Sequence, residues 1–263
     1  MPGEEAAASL QRARSASGEG LDLLIHEADA KTLLALLENP NMQEPQVSRL
    51  LERLDLSTEL ITAVAREGKW TSSESVRLRL ARHPRTPSRI AISMLRQLYL
   101  FDLVRLSLLP SAPADIRRAA EEFILTRVPH IPIGEKLTLA RRGPPRVAAA
   151  VLAEGHSQAV KLALGNSLLT ESQILKILAN PEVPVRVVTA ISQHAKWSVQ
   201  YNVRVSLMRH THTPVPVLLR FLPDITSRDL KDALTLESLT PHSRKYIEQE
   251  LARRADDTKE SIL

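Results

Sequence analysis

The chain of 263 residues contains no cysteine, only 3% aromatic residues and eight glycines. Without cysteine it forms no disulfide, no thiolate nucleophile and no cysteine-ligated zinc or iron–sulfur site. No glycine-rich phosphate-binding loop occurs, and no serine lies in a nucleophile-elbow pattern. These absences remove the common sequence signatures of catalysis and cofactor binding.

Long apolar runs are also absent. Arginine or lysine interrupts every apolar stretch before it approaches the roughly 18 residues that cross a bilayer. The first twenty residues lack the apolar core of a signal peptide, and their glutamates argue against a transit peptide. We therefore expect a cytoplasmic protein without membrane insertion, with residues 1–20 disordered and residues 256–263 forming a polar tail.

The residues that are abundant favour helices. Leucine and alanine are frequent, and apolar residues recur at helical spacing in short blocks such as 76–83, 87–98 and 114–125. The 17 prolines stand mostly between these blocks. The Thr-Pro pairs at 86–87 and 213–214 predict helix starts, with threonine as the N-cap and proline at the first helical position. The sequence predicts an all-α protein of short helices.

The chain contains an internal repeat. Residues 69–103 align without a gap on residues 196–230, and twelve of the 35 positions are identical. The same register, which pairs each position n with position n + 127 and which we call the repeat offset, aligns residues 30–51 with residues 157–178. A single pair of short helices cannot bury its leucine-rich face, whereas stacked pairs can. We predict an internal duplication that forms one α-solenoid of paired helices over residues 21–255, with halves of about 21–130 and 131–255.

Three stretches carry a family resemblance: LARHPRTPSRIAISMLRQL, LGNSLLTESQILKILANP and SLMRHTHTPVPVLLRFL. The recurring element is an apolar helix, then an Asn-Pro or His-x-x-Thr-Pro corner, then a second leucine-rich helix. These stretches resemble leucine-rich-repeat-variant or HEAT-like repeats of bacterial proteins. GEKLTLARR followed by PPRVAAAVL is similar to a segment of uncharacterised bacterial chains of this type. The resemblance implies a helical-repeat fold and a binding role. The cysteine-bound iron–sulfur cluster of the variant-repeat family cannot be carried over to a chain without cysteine.

Positive charge is concentrated in the middle of the chain. The net charge is +5, and the segment 61–105 carries nine basic and three acidic side chains. Such a segment indicates nucleic acid, anionic lipid or an acidic protein as a partner. Arginines on solvated helix faces explain the same charges without any partner.

The two tryptophans, Trp70 and Trp197, are candidate partner-binding residues. Each follows a lysine at the same position of the repeat. They are interpreted either as platforms that stack on a base or anchor a peptide, or as wedges that seal a helix junction in each half. The repetition favours the wedge, because packing must be repeated in both halves and a binding site need not be.

Two matched pairs of arginines are the other candidate partner-binding residues: Arg77 with Arg82, and Arg204 with Arg209. A spacing of five residues places the members of a pair about 140° apart on a helix. One member of each pair is therefore expected to line a groove while the other is solvated. A stripe that follows phosphates and arginine stems that cover apolar layers both explain these residues.

Histidines also recur, as His83 and His210, with His212 adding a His-x-His pair. A metal site would need further ligands, and a histidine that closes a helix end explains the position as well. We predict no metal and no cofactor.

Three functions compete on this sequence: a scaffold for a protein or peptide, a nucleic-acid-binding protein with a basic groove, and a helical-repeat enzyme that excises damaged DNA bases. The enzyme would need an aromatic cleft with a carboxylate facing the base, and two tryptophans 127 residues apart without an obvious acidic companion match this need poorly. The prediction is a non-enzymatic scaffold that binds a protein or peptide.

Overall fold

The computed structural model describes residues 2–237 and 239–260, and within them the chain is all-helical without a β-strand. The chain divides into two compact units, a first unit of Met1–Thr126 and a second unit of Arg127–Leu263. The division lies close to the boundary near residue 130 that is predicted between the two halves. Each unit has its own apolar core.

The first unit is built from short helices separated by tight corners. In chain order they are α1 (Pro2–Ser15), α2 (Gly18–Glu27), α3 (Ala30–Leu37), α4 (Glu44–Leu50), α5 (Thr58–Arg66), α6 (Gly68–Thr71), α7 (Glu74–Arg82), α8 (Ser88–Leu95), α9 (Leu100–Leu108) and α10 (Ala114–Arg127). Helices α1, α3 and α5 contact one another in succession, and α2, α4 and α7 do the same. Alternate helices therefore form two rows, with leucines such as Leu36 and Leu50 fully buried.

The second unit opens with a 3-10 turn at Val128–His130. It continues with α11 (Ile133–Arg142), α12 (Pro145–Ala153), α13 (Ser157–Leu164), α14 (Glu171–Leu178), α15 (Val185–Gln193), α16 (Tyr201–Arg209), α17 (Val215–Phe221), α18 (Ser227–Leu234) and α19 (Pro241–Glu260). Here α11, α13 and α15 form one row, and α12, α14 and α16 form the other. Gly155, with φ +76°, follows α12 in the left-handed conformation that glycine adopts without strain.

Helix starts recur at the register seen in the sequence. Helices α12 to α19 each begin at the repeat offset from a helix of the first unit, in the same order, and α11 ends at the repeat offset from the end of α1. Of the helices of the first unit, α6 has no helical counterpart in the described part of the second unit. A turn at residues 195–199 stands in its place.

One buried asparagine in each unit makes the same three hydrogen bonds. Asn39 Nδ2 donates to the carbonyl oxygens of Ala13 (2.7 Å) and Ala16 (2.9 Å), and its Oδ1 accepts from the N–H of Asn41 (2.8 Å). This side chain ties the end of α1 to the corner after α3, and it satisfies carbonyls that a helix end leaves free.

Asn166 repeats the arrangement in the second unit. Its Nδ2 donates to the carbonyl oxygens of Ala140 (3.0 Å) and Gly143 (3.1 Å), and its Oδ1 accepts from the N–H of Leu168 (2.8 Å). The four carbonyl partners of the two asparagines are themselves related by the repeat offset, so the corners of the two units are built alike.

The N-terminal segment differs from the sequence expectation. Disorder is expected over residues 1–20, but α1 is a helix over Pro2–Ser15 and packs on α3. Ala13 is fully buried, and Arg14 forms an ion pair with Glu38 (2.8 Å). Contacts with later residues stabilise a segment whose composition alone does not predict order.

The structure also corrects the predicted N-caps at two Thr-Pro pairs. Pro87 and Pro214 are themselves the N-cap residues of α8 and α17, and neither helix has a side-chain cap. Thr86 Oγ1 is buried without a partner among the described residues, while Thr213 Oγ1 donates back to the carbonyl of Leu207 (2.5 Å). The corner therefore extends one residue further than the pattern predicts.

At the C-terminus, α19 continues to Glu260, so most of the segment predicted as a polar tail is helical, and residues 261–263 lie outside the described residues. None of the helices in the described ranges combines the length and apolarity that a membrane crossing requires.

Candidate functional site: a groove in each unit

The two tryptophans are packed inside their units. Trp70 lies in α6 and is 5% exposed, and Trp197 lies in the turn at the equivalent position and is 1% exposed. The ammonium groups of Lys69 and Lys196 lie 4.1 and 4.0 Å from the respective ring centroids. Because the rings are buried, neither offers a surface on which a base or peptide could stack.

Arg77 and Arg204 are used by the protein itself. Arg77 Nη1 donates to the carbonyls of Thr71 (2.7 Å) and Ser72 (2.8 Å), and so closes the C-terminal end of α6. Arg204 Nε donates to the carbonyl of Ser198 (2.7 Å), which is equivalent to Thr71, and its Nη1 pairs with Asp224 (2.6 Å). Both guanidinium groups therefore have local structural roles.

The other two predicted arginines, Arg82 and Arg209, line a groove in each unit. We call the groove of the first unit, which contains Arg82, the first groove, and that of the second unit, which contains Arg209, the second groove. Seven pairs of positions related by the repeat offset line both: Leu51/Leu178, Glu52/Ala179, Leu54/Pro181, Arg82/Arg209, His83/His210, Pro84/Thr211 and Leu109/Leu236. The two grooves are thus lined by positions that the repeat offset relates to one another.

Each groove combines an apolar lining with one arginine. The first encloses about 420 Å³ and the second about 350 Å³, volumes in the range of pockets that hold small ligands or side chains. Leu54 in the first groove is 68% exposed. An apolar group that covers such a lining is stabilised by about 25 cal/mol per Å² removed from water.

The arginine charges are only weakly compensated. Arg82 is exposed and makes no ion pair or hydrogen bond with a described residue. Arg209 Nη2 lies 3.9 Å from Asp229 Oδ1. A hydrogen bond from Tyr201, then one from Thr226, and to a lesser extent the charge of Arg209, lower the pKa of Asp229. Asp229 is thus held mainly by hydroxyl groups.

The acidic residue of the first groove is already paired. Glu52 accepts a hydrogen bond from Arg79 Nη1 (2.7 Å). In the second groove the equivalent positions are Ala179 and Ser206, so neither charge is present. Both grooves therefore offer a cationic edge to an anionic group.

The recurring histidines have the same bonding in both grooves. His83 Nδ1 accepts from the N–H of Arg85 (3.2 Å), and its Nε2 lies 2.8 Å from the carbonyl of Arg53. His210 Nδ1 likewise accepts from the N–H of His212 (3.1 Å), with Nε2 3.3 Å from the carbonyl of Asn180. Since Nδ1 accepts and a carbonyl cannot donate, both rings are neutral with the proton on Nε2. No cluster of three or more metal-ligating side chains occurs in the described part of the chain.

His210 gives a pH prediction. Burial lowers its pKa, the bond to the carbonyl of Asn180 acts in the opposite direction, and the charge of His212 lowers it further. As the pH falls, His210 is therefore protonated in the unfolded state before it is protonated in the folded state. The contribution of neutral His210 to stability is complete above pH ~6.5 and is lost as the pH falls towards the lowered folded-state pKa. We expect urea midpoints to fall between pH 7 and 5, and His210→Asn to make that fall shallower.

The control for this prediction is His156→Gln, at an exposed position. It should leave the pH dependence unchanged. An equal pH dependence in the wild type and in His210→Asn would contradict the assignment. Burial also lowers the pKa of His194, and the charge of Lys196 lowers it further. The stability of His210→Asn should therefore still depend on pH to some extent.

Sequence reasoning found the arginines and histidines of the grooves but not their apolar lining. Leu51 and Leu178 are identical residues at the ends of the aligned segments 30–51 and 157–178, but the alignment alone gives them no functional role. Leu109 and Leu236 are also identical at the repeat offset, just beyond the aligned segment. Extending the alignment and asking which identical leucines lie at corners would have indicated them.

Comparisons with known proteins find no match: no protein-family model, no curated protein and no solved structure is similar to this chain.

Proposed function

We propose that the protein is a non-enzymatic helical-repeat scaffold that binds a protein or peptide partner in the two grooves. The observation that carries the proposal is the recurrence of one groove, with an arginine at the same place, in both units. Packing alone requires buried residues to recur. It does not require a weakly compensated arginine to recur beside a partly exposed apolar lining.

We further propose that the chain arose by internal duplication and forms an α-solenoid of the leucine-rich-repeat-variant or HEAT-like type in the cytoplasm. Three features support the duplication: the helix starts related by the repeat offset, the matched bonds of Asn39 and Asn166, and the matched rings of Trp70 and Trp197. The alternating rows of helices within each unit are the packing that such repeats use.

The occupant that we propose is a peptide segment with a leucine-like side chain next to a carboxylate. The apolar side chain would cover the lining formed by Leu51 and Leu109, or by Leu178 and Leu236. The carboxylate would pair with Arg82 or Arg209, and arginine binds carboxylates with two parallel hydrogen bonds. Charge complementarity therefore favours an acidic partner.

We expect selection from a random peptide library on the purified protein to enrich sequences in which an aliphatic residue stands within two positions of Asp or Glu. The variant Arg82→Ala/Arg209→Ala should bind the selected peptides roughly 10- to 100-fold more weakly, because a hydrogen bond to a charged group contributes about 1.5–3 kcal/mol. Isothermal titration calorimetry measures the loss.

The matched control is Arg89→Ala/Arg228→Ala, which removes two exposed arginines outside the groove linings. It should bind the peptides like the wild type. Equal weakening by both double variants, or enrichment of sequences without an acidic residue, would count against the proposal.

The alternatives have less support in the geometry. Arg77 and Arg204, which the phosphate stripe would use, are bonded to backbone carbonyls, and Arg79 in the same basic segment is paired with Glu52. A base-excising enzyme would need an exposed aromatic cleft, and Trp70 and Trp197 are buried. We therefore propose binding rather than catalysis, and a groove that accepts a peptide rather than one that follows a phosphate chain.

A further inference from the structure

The row formed by α11, α13 and α15 in the second unit carries positive charge on its solvent side. Four exposed cations, Arg141, Arg142, Lys161 and Arg186, form what we call the basic face. No other exposed residue of these three helices is charged. Their one carboxylate, Glu135, is half-buried in the first turn of α11, and Lys136 is paired with Glu154 (2.7 Å).

The cations converge in pairs. Arg141 and Arg142 line a groove together with Leu162 of α13, and Lys161 and Arg186 line a groove between α13 and α15. None of the four side chains makes a hydrogen bond or ion pair with another residue of the described chain. Like charges repel one another, so an arrangement that gathers them without counter-charges needs an explanation outside the packing of the unit.

The first unit shows that packing does not require these charges. The four equivalent positions are occupied by Arg14, Ser15, Leu34 and Glu59. Arg14 is neutralised by Glu38, and the position equivalent to Glu38 in the second unit is Gly165.

The cations of the first row complete the comparison. Lys31 and Arg66 stand where the second row has Gln158 and Gln193, so the first row mixes both signs of charge and the second presents one sign only. The two rows share a helical framework and differ in surface charge.

We propose that the basic face binds the phosphate backbone of double-helical nucleic acid without reading its sequence. Arginine is well suited to phosphate, and the neutral donors between the cations, such as Thr138 and Gln158, are also side chains that contact phosphates. No aromatic residue occurs in α11, α13 or α15. The face therefore lacks the stacking surface that single strands use and the aromatic anchors that membrane-bound helices use.

The size of the row is compatible with a duplex. Packed helices lie about 8–10 Å apart, so the outer axes of three adjacent helices are separated by roughly 16–20 Å. Along a duplex this length corresponds to about five or six base-pair steps at 3.4 Å each. Four cations over that distance can neutralise about four phosphates.

The test is the fluorescence anisotropy of a labelled duplex of about 20 base pairs and arbitrary sequence, titrated with the full chain at several salt concentrations. Four phosphate contacts predict a slope of log K against log salt of about −3 to −4, and a roughly 100-fold loss of affinity between about 50 and 200 mM salt. In Arg142→Ser/Lys161→Gln/Arg186→Gln the slope should fall in magnitude to about 1, with at least a tenfold weaker complex at low salt.

A charge-matched control removes three cations from the first unit: Lys31→Gln/Arg66→Gln/Arg89→Gln. It should keep the wild-type slope, since the basic face is intact. A converse variant, Ser15→Arg/Leu34→Lys/Glu59→Arg, copies the basic face onto the first row and should raise the amount of duplex bound per chain. All of these positions are exposed except Leu34, which is half-buried against the core, and thermal melts verify folding.

The proposal is overturned by equal losses in the two triple variants, which would indicate binding by net charge. It is also overturned by tighter binding of a single strand than of the duplex. The same holds if vesicles containing phosphatidylserine bind the chain while the duplex does not. The basic face shares no residue with the lining of either groove, so Arg82→Ala/Arg209→Ala should bind the duplex like the wild type, and either proposal can fail without the other.

Discussion

Replacement of Asn166 by aspartate is expected to lower the free energy of unfolding of the second unit by about 3–5 kcal/mol, because two buried carbonyl oxygens lose their donors. The side chains have nearly the same shape, so no cavity forms. The carbonyls of Ala140 and Gly143 would face a carboxylate oxygen in place of the amide nitrogen that now lies 3.0 and 3.1 Å away. Asn166 is 2% exposed, so water cannot substitute without local opening.

The measurement is equilibrium urea unfolding followed by tryptophan fluorescence in the Trp70→Phe background. Trp197 is then the only tryptophan, and it lies in the second unit. Asn180→Asp is the control, because Asn180 is exposed and its Oδ1 accepts a hydrogen bond from the N–H of Glu182 that a carboxylate oxygen can also accept. That variant should change stability by less than about 0.5 kcal/mol. A similarly small change for Asn166→Asp would contradict the inferred bonds.

The second large effect concerns Trp197. Its truncation to alanine should lower the free energy of unfolding by about 3–5 kcal/mol, the usual loss for a buried large aromatic residue. The more informative substitution is Trp197→Phe, which retains an aromatic ring but removes the Nε1 donor that bonds the carbonyl of Leu164 (3.0 Å). That carbonyl belongs to the last residue of α13, where helix carbonyls lack partners within the helix.

Trp70→Phe is the matched comparison, because Trp70 Nε1 has no partner in the described structure and is buried. Its replacement removes an unsatisfied donor and leaves no carbonyl unpaired. We expect Trp197→Phe to cost about 1–2 kcal/mol more than Trp70→Phe. Unfolding is followed by circular dichroism, since one fluorophore is lost in each variant. Equal costs would show that the Leu164 bond contributes nothing to stability.

Much of the secondary structure follows from sequence patterns, because helical spacing and prolines are local properties. The short helices between proline corners and the absence of strand patterns lead directly to an all-helical chain. The end of α1 is different: Ala13 is buried and its carbonyl is bonded by Asn39, 26 residues away. A contact of that range cannot be inferred from a segment rich in alanine and polar residues.

The candidate sites also combine features that the sequence predicts with contacts that it does not predict. Helical spacing predicts that Arg77 and Arg82 point in different directions, with one lining a groove and the other solvated. Arg82 lines a groove, but Arg77 is half-buried and bonded to backbone carbonyls, so it is not the solvated residue that the spacing predicts. Which carbonyl a guanidinium group reaches depends on how the chain turns after α6, and no pattern shows it. The density of charge along the chain does not indicate the basic face either. Its cations lie on alternate helices, so chain segments from the other row separate them in sequence.

The asparagine corners limit how the chain can be shortened. Asn39 donates to the carbonyls of Ala13 and Ala16, so a fragment that starts at α3 keeps the amide and loses both acceptors. Removing the first two helices therefore takes away more than their own apolar contacts. Proteolysis within α1 or α2 should make the rest of the first unit more susceptible to further digestion. These two helices therefore protect the unit against degradation.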